Sequence, residues 1–194
     1  GFKYIYPNDK CIDTPSSDEV KEISIPFGIL SGFFWGKVYK REIFEGIRLP
    51  EGYWFEDSLN VHILFWKCKK CILIPELVYG YYMNENGITQ TAKKKIKSID
   101  SLYITESLIK DHLELGYNIT QEYYDYFLRM VNLTYNRTRE MKEEVRKSVF
   151  LCQCNLYEKY FSTFSTEVKE MKKLEHSLKM HDYKAYIFAL EWSL

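Results

Sequence analysis

Hydrophobic positions in the second half of the chain recur with the spacing of α-helices. Five stripes of apolar residues, mostly three or four positions apart, predict five helices from residue 99 onward. The first stripe stops before Gly116, a residue type that readily closes a helix in the left-handed conformation. The stripes consist of Ile99, Leu102, Ile109 and Leu113; Tyr124, Phe127, Leu128, Val131 and Tyr135; Val145, Val149, Cys152, Leu156 and Tyr160; Val168, Met171, Leu174 and Leu178; and Tyr183, Tyr186, Ile187 and Leu190.

The beginning of the chain follows the two-residue period of a strand. Phe2, Tyr4 and Tyr6 alternate with other residues, and Pro7 ends this pattern. A polar stretch at 14–19 predicts a loop. Two apolar runs further along, 71–74 and 78–82, are separated by a proline and predict two more strands. A polar run with a glycine, 84–87, predicts a turn.

Shorter helical patterns lie between the predicted strands. Trp35, Tyr39 and Ile43 share one face, which predicts a short helix that starts at Lys37 and ends at Gly46. An amphipathic helix is predicted next by the stripe Leu59, His62, Ile63 and Trp66.

Two acidic residues, Glu56 and Asp57, stand at the N-terminus of this amphipathic helix. The unpaired amides and the helix dipole there favour negative charge. Two interpretations of the pair stay open: the two residues only stabilise the start of the helix, or they belong to a functional site that uses their carboxylates. Upstream, Gly32 and Gly36 flank three large aromatic residues, which predicts a backbone packed tightly against another element.

Composition narrows the class of protein. The chain has 194 residues and 23.3 kDa, with 27 Lys+Arg and 27 Asp+Glu, so its formal net charge is zero. This balance excludes a general nucleic-acid binder, which needs a basic surplus. Aromatic residues make up 17% of the chain, and we expect most of them to fill a core. The patterns predict an α-rich α/β protein with two parts, 1–90 and 91–194, the helical part docked on the first.

The cysteines raise the question of a metal. Cys68 and Cys71 have the spacing of half a zinc site, and Cys152 and Cys154 could supply the other half, but a second paired motif is missing. Packed thiols of a reducing compartment are the preferred interpretation, and a metal-bound helical regulator using Cys68, Cys71 and His62 is the weaker alternative. The other histidines are predicted to be solvated: His112, His176 and His181.

Four short blocks stand in a characteristic order. They are WGKVYKR at 35–41, FED at 55–57, LVYGY at 77–81 and GIT at 87–89. In order and spacing they resemble the C-terminal, acceptor-side half of family 2, GT-A-type inverting glycosyltransferases, a large bacterial group that builds cell-surface polysaccharides. The opening 1–4 is similar to the strand after the family's donor-binding motif. The resemblance covers about residues 1–90 and implies a partial GT-A-like mixed sheet.

The resemblance implies transfer of a sugar, of the hexosyltransferase type, from a nucleotide-sugar to an acceptor hydroxyl with inversion. A base must take the acceptor proton. The family's base is the Asp of its Glu-Asp pair, which here is Asp57 beside Glu56. The residues implied to bind the acceptor, a glycan or a lipid-linked sugar, are Trp35, Gly36, Lys37, Tyr53 and Trp54. The implied location is the cytoplasm and, for a lipid-linked acceptor, the inner face of the membrane.

Three departures from the family pattern limit what is implied. The sequence contains no Asp-x-Asp, which in the family holds Mg²⁺ or Mn²⁺ on the donor diphosphate. The chain starts about where that donor half would end. Tyr82 stands where the family has Arg, and Gly87 where it has Ser. We therefore expect a divalent cation only in the full-length enzyme, no metal on this chain, and no transfer activity from these residues alone.

A second class of function is a non-catalytic helical protein-interaction module. The helical half of the chain carries aromatic stripes suited to a partner surface. Strand edges left unpaired by the missing half would also favour self-association.

Overall fold

The computed structural model describes the backbone of residues 2–5, 11–14, 19–23 and 30–192, and the side chains of 19–23 and 30–191. The chain forms two compact units, Gly1–Thr91 (unit 1) and Ala92–Leu194 (unit 2). The boundary predicted from the sequence falls between residues 90 and 91. Tyr6, Pro7 and most of the predicted loop at 14–19 lie outside the described residues.

Unit 1 contains two small sheets. Strand β1 (Phe2–Ile5) is central in the first sheet, antiparallel to β2 (Cys11–Thr14) and parallel to β5 (Tyr79–Tyr82). This sheet is therefore mixed. Strand β3 (Lys21–Ile23) pairs antiparallel with β4 (Cys71–Leu73) in the second sheet. The sequence predicts β1, β4 and β5, but it predicts neither β2 nor β3.

The short helix of unit 1 starts later than the sequence predicts. Residues 37–40 are not helical, Lys40 is extended, and a 3₁₀ helix covers only Arg41–Phe44. Gly46 follows with φ of 76°, the left-handed conformation expected at this position. Tyr39 thus precedes the helix, and its ring packs edge-on against Phe34 and Phe44. The predicted start of this helix is wrong because the spacing of the aromatic residues reflects the contacts of Tyr39 with Phe34 and Phe44, not a helical face.

The predicted amphipathic helix exists, but it is neither regular nor amphipathic. A 3₁₀ turn at Glu56–Ser58 leads into a π-helical segment at Asn60–Leu64 and then into α1 (Phe65–Lys67). All residues from Ser58 to Phe65 are buried, polar ones included. A helix that is buried all round belongs to a core. π-helical turns are rare and are found frequently at functional sites.

A tight turn connects β5 to α2 (Ile88–Thr91). The amide of Gly87 donates to the carbonyl of Asn84 at 2.9 Å, and the amide of Asn86 donates to the Asn84 side chain at 2.9 Å. Asn at the first position of such a turn satisfies its own backbone in this way. The predicted turn at 84–87 is confirmed.

Unit 2 is helical. Two 3₁₀ turns, Ala92–Lys94 and Ile96–Ile99, precede the long helices, and another, Lys169–Met171, leads into α6. The five α-helices are α3 (Asp100–Glu114), α4 (Gln121–Thr138), α5 (Glu143–Tyr160), α6 (Lys172–Lys179) and α7 (Tyr183–Trp192). Each predicted stripe corresponds to one of them, so this part of the prediction is confirmed.

Aromatic rings fill the core of unit 2. Phe161 is fully buried and stacks on Phe127 with ring centroids 4.2 Å apart, while the Tyr124 ring lies 5.5 Å away. Phe150 and Tyr186 form a second contact, at 4.7 Å. Buried aromatic pairs stabilise beyond the area they remove from water. Their abundance in this half of the chain is thus explained by packing.

Three predicted positions in unit 2 are wrong. Leu113 and Cys152 are exposed although they belong to predicted apolar stripes, because α3 and α5 bury neighbouring faces instead. His112, predicted to be solvated, is fully buried. Its ring packs 4.3 Å from Tyr123, and its Nε2 lies 3.2 Å from the carbonyl oxygen of Asn118. A hydrogen bond and aromatic neighbours offset the cost of burying this polar side chain.

The ends of α3 and α4 are formed locally. Gly116 has φ of 82°; its amide donates to Leu113, and the amide of Tyr117 donates to His112, the pair of bonds that defines a Schellman motif. The Thr120 hydroxyl accepts from the amide of Tyr123 at 3.2 Å and caps α4.

The described residues form an α-rich α/β protein, as the sequence predicts. Helices account for nearly all of unit 2, and the strands lie in unit 1. Among the helices described, none combines the length and apolar character needed to cross a membrane.

Replacing the cap of α4 is expected to destabilise unit 2. Thr120→Ala removes the acceptor for the Tyr123 amide, and we expect the free energy of unfolding to fall by about 1 kcal/mol. Thr120→Ser keeps the acceptor and should stay close to the wild type. Urea denaturation followed by circular dichroism compares them; equal losses for both variants would contradict a capping role.

Candidate functional site

The candidate site starts with a close contact between two segments of unit 1. The amide nitrogen of the Asn60 side chain donates to the carbonyl of Gly32 at 2.7 Å, and its oxygen accepts from the Tyr39 hydroxyl at 2.6 Å. A Cβ atom at Gly32 would lie 3.0 Å from Cγ2 of Val61, tighter than ordinary packing. The closeness of the π-helical segment therefore favours glycine here, in line with the tight packing that the sequence predicts.

Trp35 lies inside an aromatic cluster. Its ring stacks with Phe33 at a centroid distance of 4.4 Å, with Tyr79 at 5.1 Å and with Tyr81 at 5.0 Å. Gly36 follows with φ of 70°, and a Cβ there would lie 3.6 Å from Cβ of Tyr79. The cluster fixes the position of this loop. Contact of Trp35 and Gly36 with an acceptor remains a prediction.

The charges of Lys37 and Asp57 interact. The ammonium group of Lys37 donates to the carbonyl of Phe33 at 2.6 Å. Burial lowers the pKa of Lys37 to about 8, and the negative charge of Asp57, followed by that of Cys71, partly offsets this effect. Two residues that the sequence selects from different blocks therefore lie within interaction range in unit 1.

The turn before Glu56 and Asp57 is strained. Phe55 has φ of 69°, which is unfavourable for a bulky side chain, and Gly52 has φ of 79°. Such backbone conformations in a non-glycine residue cost about 1–3 kcal/mol and are concentrated at functional sites. The amide of Ser58 donates to the carbonyl of Phe55 at 3.2 Å and closes the first turn. Glu56 and Asp57 occupy that turn, Glu56 exposed and Asp57 half-buried.

The residues just before this turn present an aromatic surface. Tyr53 is exposed, and Trp54 is half-buried with its ring edge-on to Phe55 at 6.1 Å. Aromatic side chains beside a carboxylate suit a ligand with both apolar faces and hydroxyl groups. Contact of Tyr53 and Trp54 with an acceptor stays a prediction.

The structure gives no support to a metal centre built from the residues it describes. Among residues 19–23 and 30–191, no three His, Cys, Asp or Glu side chains come together in a metal-binding arrangement. Cys68, Cys71 and His62 therefore do not form such a group in the described residues, and the metal-bound alternative stays a prediction. Four free thiols occur in this part of the chain: Cys68, Cys71, Cys152 and Cys154.

Unit 2 has an open groove that the sequence does not predict. It has a volume of about 740 Å³, and Met180, Ile187 and Tyr183 are among the residues that line it. Charges at its edge are already engaged: Lys147 pairs with Glu143 at 2.8 Å and lies over the Tyr183 ring. Paired surface charges of this kind contribute little to binding.

Comparisons with known proteins give no relative. Neither the models of protein families, nor the curated proteins, nor the solved structures contain a significant match to this chain. The site therefore depends on its own geometry. Sequence reasoning missed Asn60, although an Asn inside an otherwise apolar helical stretch points to a buried hydrogen-bonding role. It also missed the closeness of Cys71 to Lys37, which no local pattern indicates.

Adding a methyl group at Gly32 is expected to disturb the contact with the π-helical segment. In Gly32→Ala the new Cβ meets Val61, a stiff and buried β-branched residue, so we expect a loss of about 1 kcal/mol or more in the free energy of unfolding of unit 1. Urea denaturation followed by tryptophan fluorescence is the measurement, since three of the four tryptophans lie in unit 1.

Val61→Ala provides the matched background for this test. It is destabilising by itself, but it removes the Cγ2 methyl group that the added Cβ would meet, so Gly32→Ala should then cost little. If the cost of Gly32→Ala is the same in both backgrounds, the close approach is not its cause.

The lowered pKa of Lys37 predicts how stability depends on pH. The folded chain loses this proton near pH 8 and the unfolded chain only near its ordinary value of 10.5. Between these values the unfolded state binds more protons at Lys37, so the contribution of Lys37 to the stability of unit 1 should increase as pH rises. Lys37→Met should remove this gain. Urea denaturation at a series of alkaline pH values measures it.

The charge of Asp57 raises the pKa of Lys37, so Asp57→Asn should lower that pKa further below 8. Competitive acetylation across pH, quantified by mass spectrometry, reports the titration of Lys37. An unchanged titration in Asp57→Asn would show that the two groups do not interact.

Proposed function

We propose that this chain is the acceptor-side half of an inverting, GT-A-type glycosyltransferase. It would act in bacterial cell-surface polysaccharide synthesis, in the cytoplasm or at the inner face of the membrane, on a glycan or lipid-linked acceptor. The observation that carries the proposal is the half-buried carboxylate of Asp57, which stands in the first turn after a strained Phe55 and interacts with the half-buried Lys37.

In the proposed mechanism Asp57 is the base. Its carboxylate takes the proton of the acceptor hydroxyl as that oxygen attacks the anomeric carbon of the donor sugar. Lys37 would help to hold the carboxylate and the acceptor in position, and Tyr53 and Trp54 would contact the acceptor's apolar faces. Glu56 is exposed, which suits a role at the rim of the site.

Further support comes from the surrounding frame. The WGK block lies in a loop whose Gly32, Trp35 and Gly36 all make close contacts within unit 1. The mixed sheet pairs β1 parallel to β5, so the opening strand and the YGYY strand run side by side. Both strands belong to segments that resemble the family.

The donor side is proposed to lie elsewhere than in these residues. Without an Asp-x-Asp, this sequence lacks the residues that would hold Mg²⁺ or Mn²⁺ on a nucleotide diphosphate. A transferase needs that charge to stabilise the leaving group. We therefore propose that the chain binds no nucleotide-sugar alone and that activity requires the donor half.

Calorimetry with nucleotide-sugars and Mn²⁺ tests the proposal. This chain is compared with a form extended upstream of Gly1 in its own reading frame. We expect binding only by the extended form. In that form Asp57→Asn should leave donor affinity within about twofold but lower the transfer rate at least about a hundredfold, the scale of a lost general base.

Glu51→Gln removes one carboxylate from an exposed position of the same loop and is the matched control, with little change expected. Nucleotide-sugar binding by the short chain would overturn the assignment of the donor site. A transfer rate equally unaffected by Asp57→Asn and Glu51→Gln would overturn the role of Asp57.

One observation favours a second candidate, a non-catalytic interaction module. Unit 2 exposes several large apolar side chains by half or more: Tyr103, Leu151, Met180 and Phe188. Such residues are typical of surfaces that bind a partner, including a second copy of the chain. If neither form binds a nucleotide-sugar and sedimentation shows self-association, this candidate replaces the first.

A further inference from the structure

Two cysteines flank the connection between α1 and β4. Cys68 follows the last residue of α1, and Cys71 is the first residue of β4. Both side chains are half-buried and both thiols are free. The sulfur of Cys68 lies 3.1 Å from the carbonyl oxygen of Lys70, the residue joined directly to Cys71. The Cys68 thiol therefore points along the connection towards Cys71.

The backbone on both sides is anchored. The amide of Cys68 donates to the carbonyl of Leu64 at 3.1 Å, and Cys68 itself is extended, with ψ of 115°. Cys71 is paired with Ile23 in the second sheet. Between them the chain bends at Lys69, in a short exposed connection, and the two thiols lie within electrostatic range of each other. Disulfides form only where the folded backbone already brings the two Cβ atoms close.

The other described thiols provide a contrast. Cys152 and Cys154 are two positions apart on α5, one exposed and the other buried. Residues at this spacing do not face each other on a helix. Burial also raises the pKa of the Cys154 thiol to about 12, which makes it unreactive. The protein therefore offers an internal comparison between a pair that can bridge and one that cannot.

We propose that Cys68 and Cys71 form a redox-sensitive dithiol that a small-molecule disulfide such as oxidised glutathione converts to an intramolecular disulfide. This modification site is independent of the proposed function.

The chemistry proceeds in two exchanges. The thiolate of Cys68 attacks one sulfur of oxidised glutathione, which forms a mixed disulfide and releases one glutathione thiolate. The thiolate of Cys71 then attacks the Cys68 sulfur, forming the Cys68–Cys71 bond and releasing the second glutathione. The protein loses two protons and two electrons, and oxidised glutathione gains them. Burial raises the pKa of Cys71, which assigns the first attack to Cys68.

Oxidation would also affect the candidate site. Lys37 and Cys71 interact electrostatically, and the Tyr39 hydroxyl interacts with both thiols. Converting the thiols to a disulfide removes the ionisable Cys71 thiol, whose charge raises the pKa of Lys37. The bridge is thus expected to change the acetylation rate of Lys37 in the folded chain.

The test uses the full chain in its folded state. It is equilibrated with oxidised and reduced glutathione, quenched with acid and blocked with N-ethylmaleimide. Cleavage after glutamate releases residues 57–76, which contain Cys68 and Cys71 and no other cysteine. We expect this peptide to be two hydrogen atoms lighter than the reduced form, without a maleimide or glutathione adduct.

Cys68→Ser and Cys71→Ser are the matched variants. Each should keep one glutathione adduct on its remaining cysteine instead of forming a bridge. The same equilibration in urea shows how much the folded backbone favours the disulfide. The fraction of chains with the Cys68–Cys71 disulfide should be lower in the unfolded chain. A folded chain in which the peptide stays reduced or carries only adducts, while the unfolded chain forms the bridge, would overturn the proposal.

Discussion

The side chain of Asn60 links separate segments of unit 1 by two hydrogen bonds. It is fully buried, donates to the carbonyl of Gly32 and accepts from the hydroxyl of Tyr39. One amide thus joins the π-helical segment to the loop at Gly32 and to Tyr39, which precedes the 3₁₀ helix. An unsatisfied buried amide is costly, which makes this arrangement strongly preferred over alternatives. Lys37 lies between the two partners of Asn60 in the chain, and Asp57 lies three residues before Asn60 itself. The geometry of the candidate site is therefore a consequence of this one hydrogen-bonded contact.

Unit 2 is the part of the fold that local sequence determines. Its helices follow from stripes with a 3.6-residue period, and their ends follow from residues such as Gly116 and Thr120 that act through neighbouring amides. Errors occur where a stripe lies at the edge of a buried face, as at Cys152, or where a polar side chain is buried by tertiary packing, as for His112. In both cases the sequence indicates the helix but not its rotation relative to its neighbours.

Unit 1 depends on contacts between distant residues, and sequence patterns predict it less well. Strand β3 is short and pairs with β4 far along the chain, so a local alternation is not needed to form it. Strand β2 is also short, although it pairs with the neighbouring β1. In the candidate site, the position of Glu56 and Asp57 in a first helical turn could be predicted. The left-handed Phe55 and the interaction of Asp57 with Lys37 could not, because both require the loop at 32–37 to pack against the segment that follows Asp57.

The π-helical segment at Asn60–Leu64 also preserves the phase between the two ends of its helix. A π turn contains about one residue more than an α turn, so it acts as a single-residue insertion that the fold has absorbed. Removing one residue there would give an ordinary α turn and leave the direction of Glu56 and Asp57 relative to Phe65–Lys67 nearly unchanged, because the π turn holds its extra residue within about the same rotation. The extra residue is therefore accommodated inside the segment, and the direction in which the carboxylates face does not depend on it.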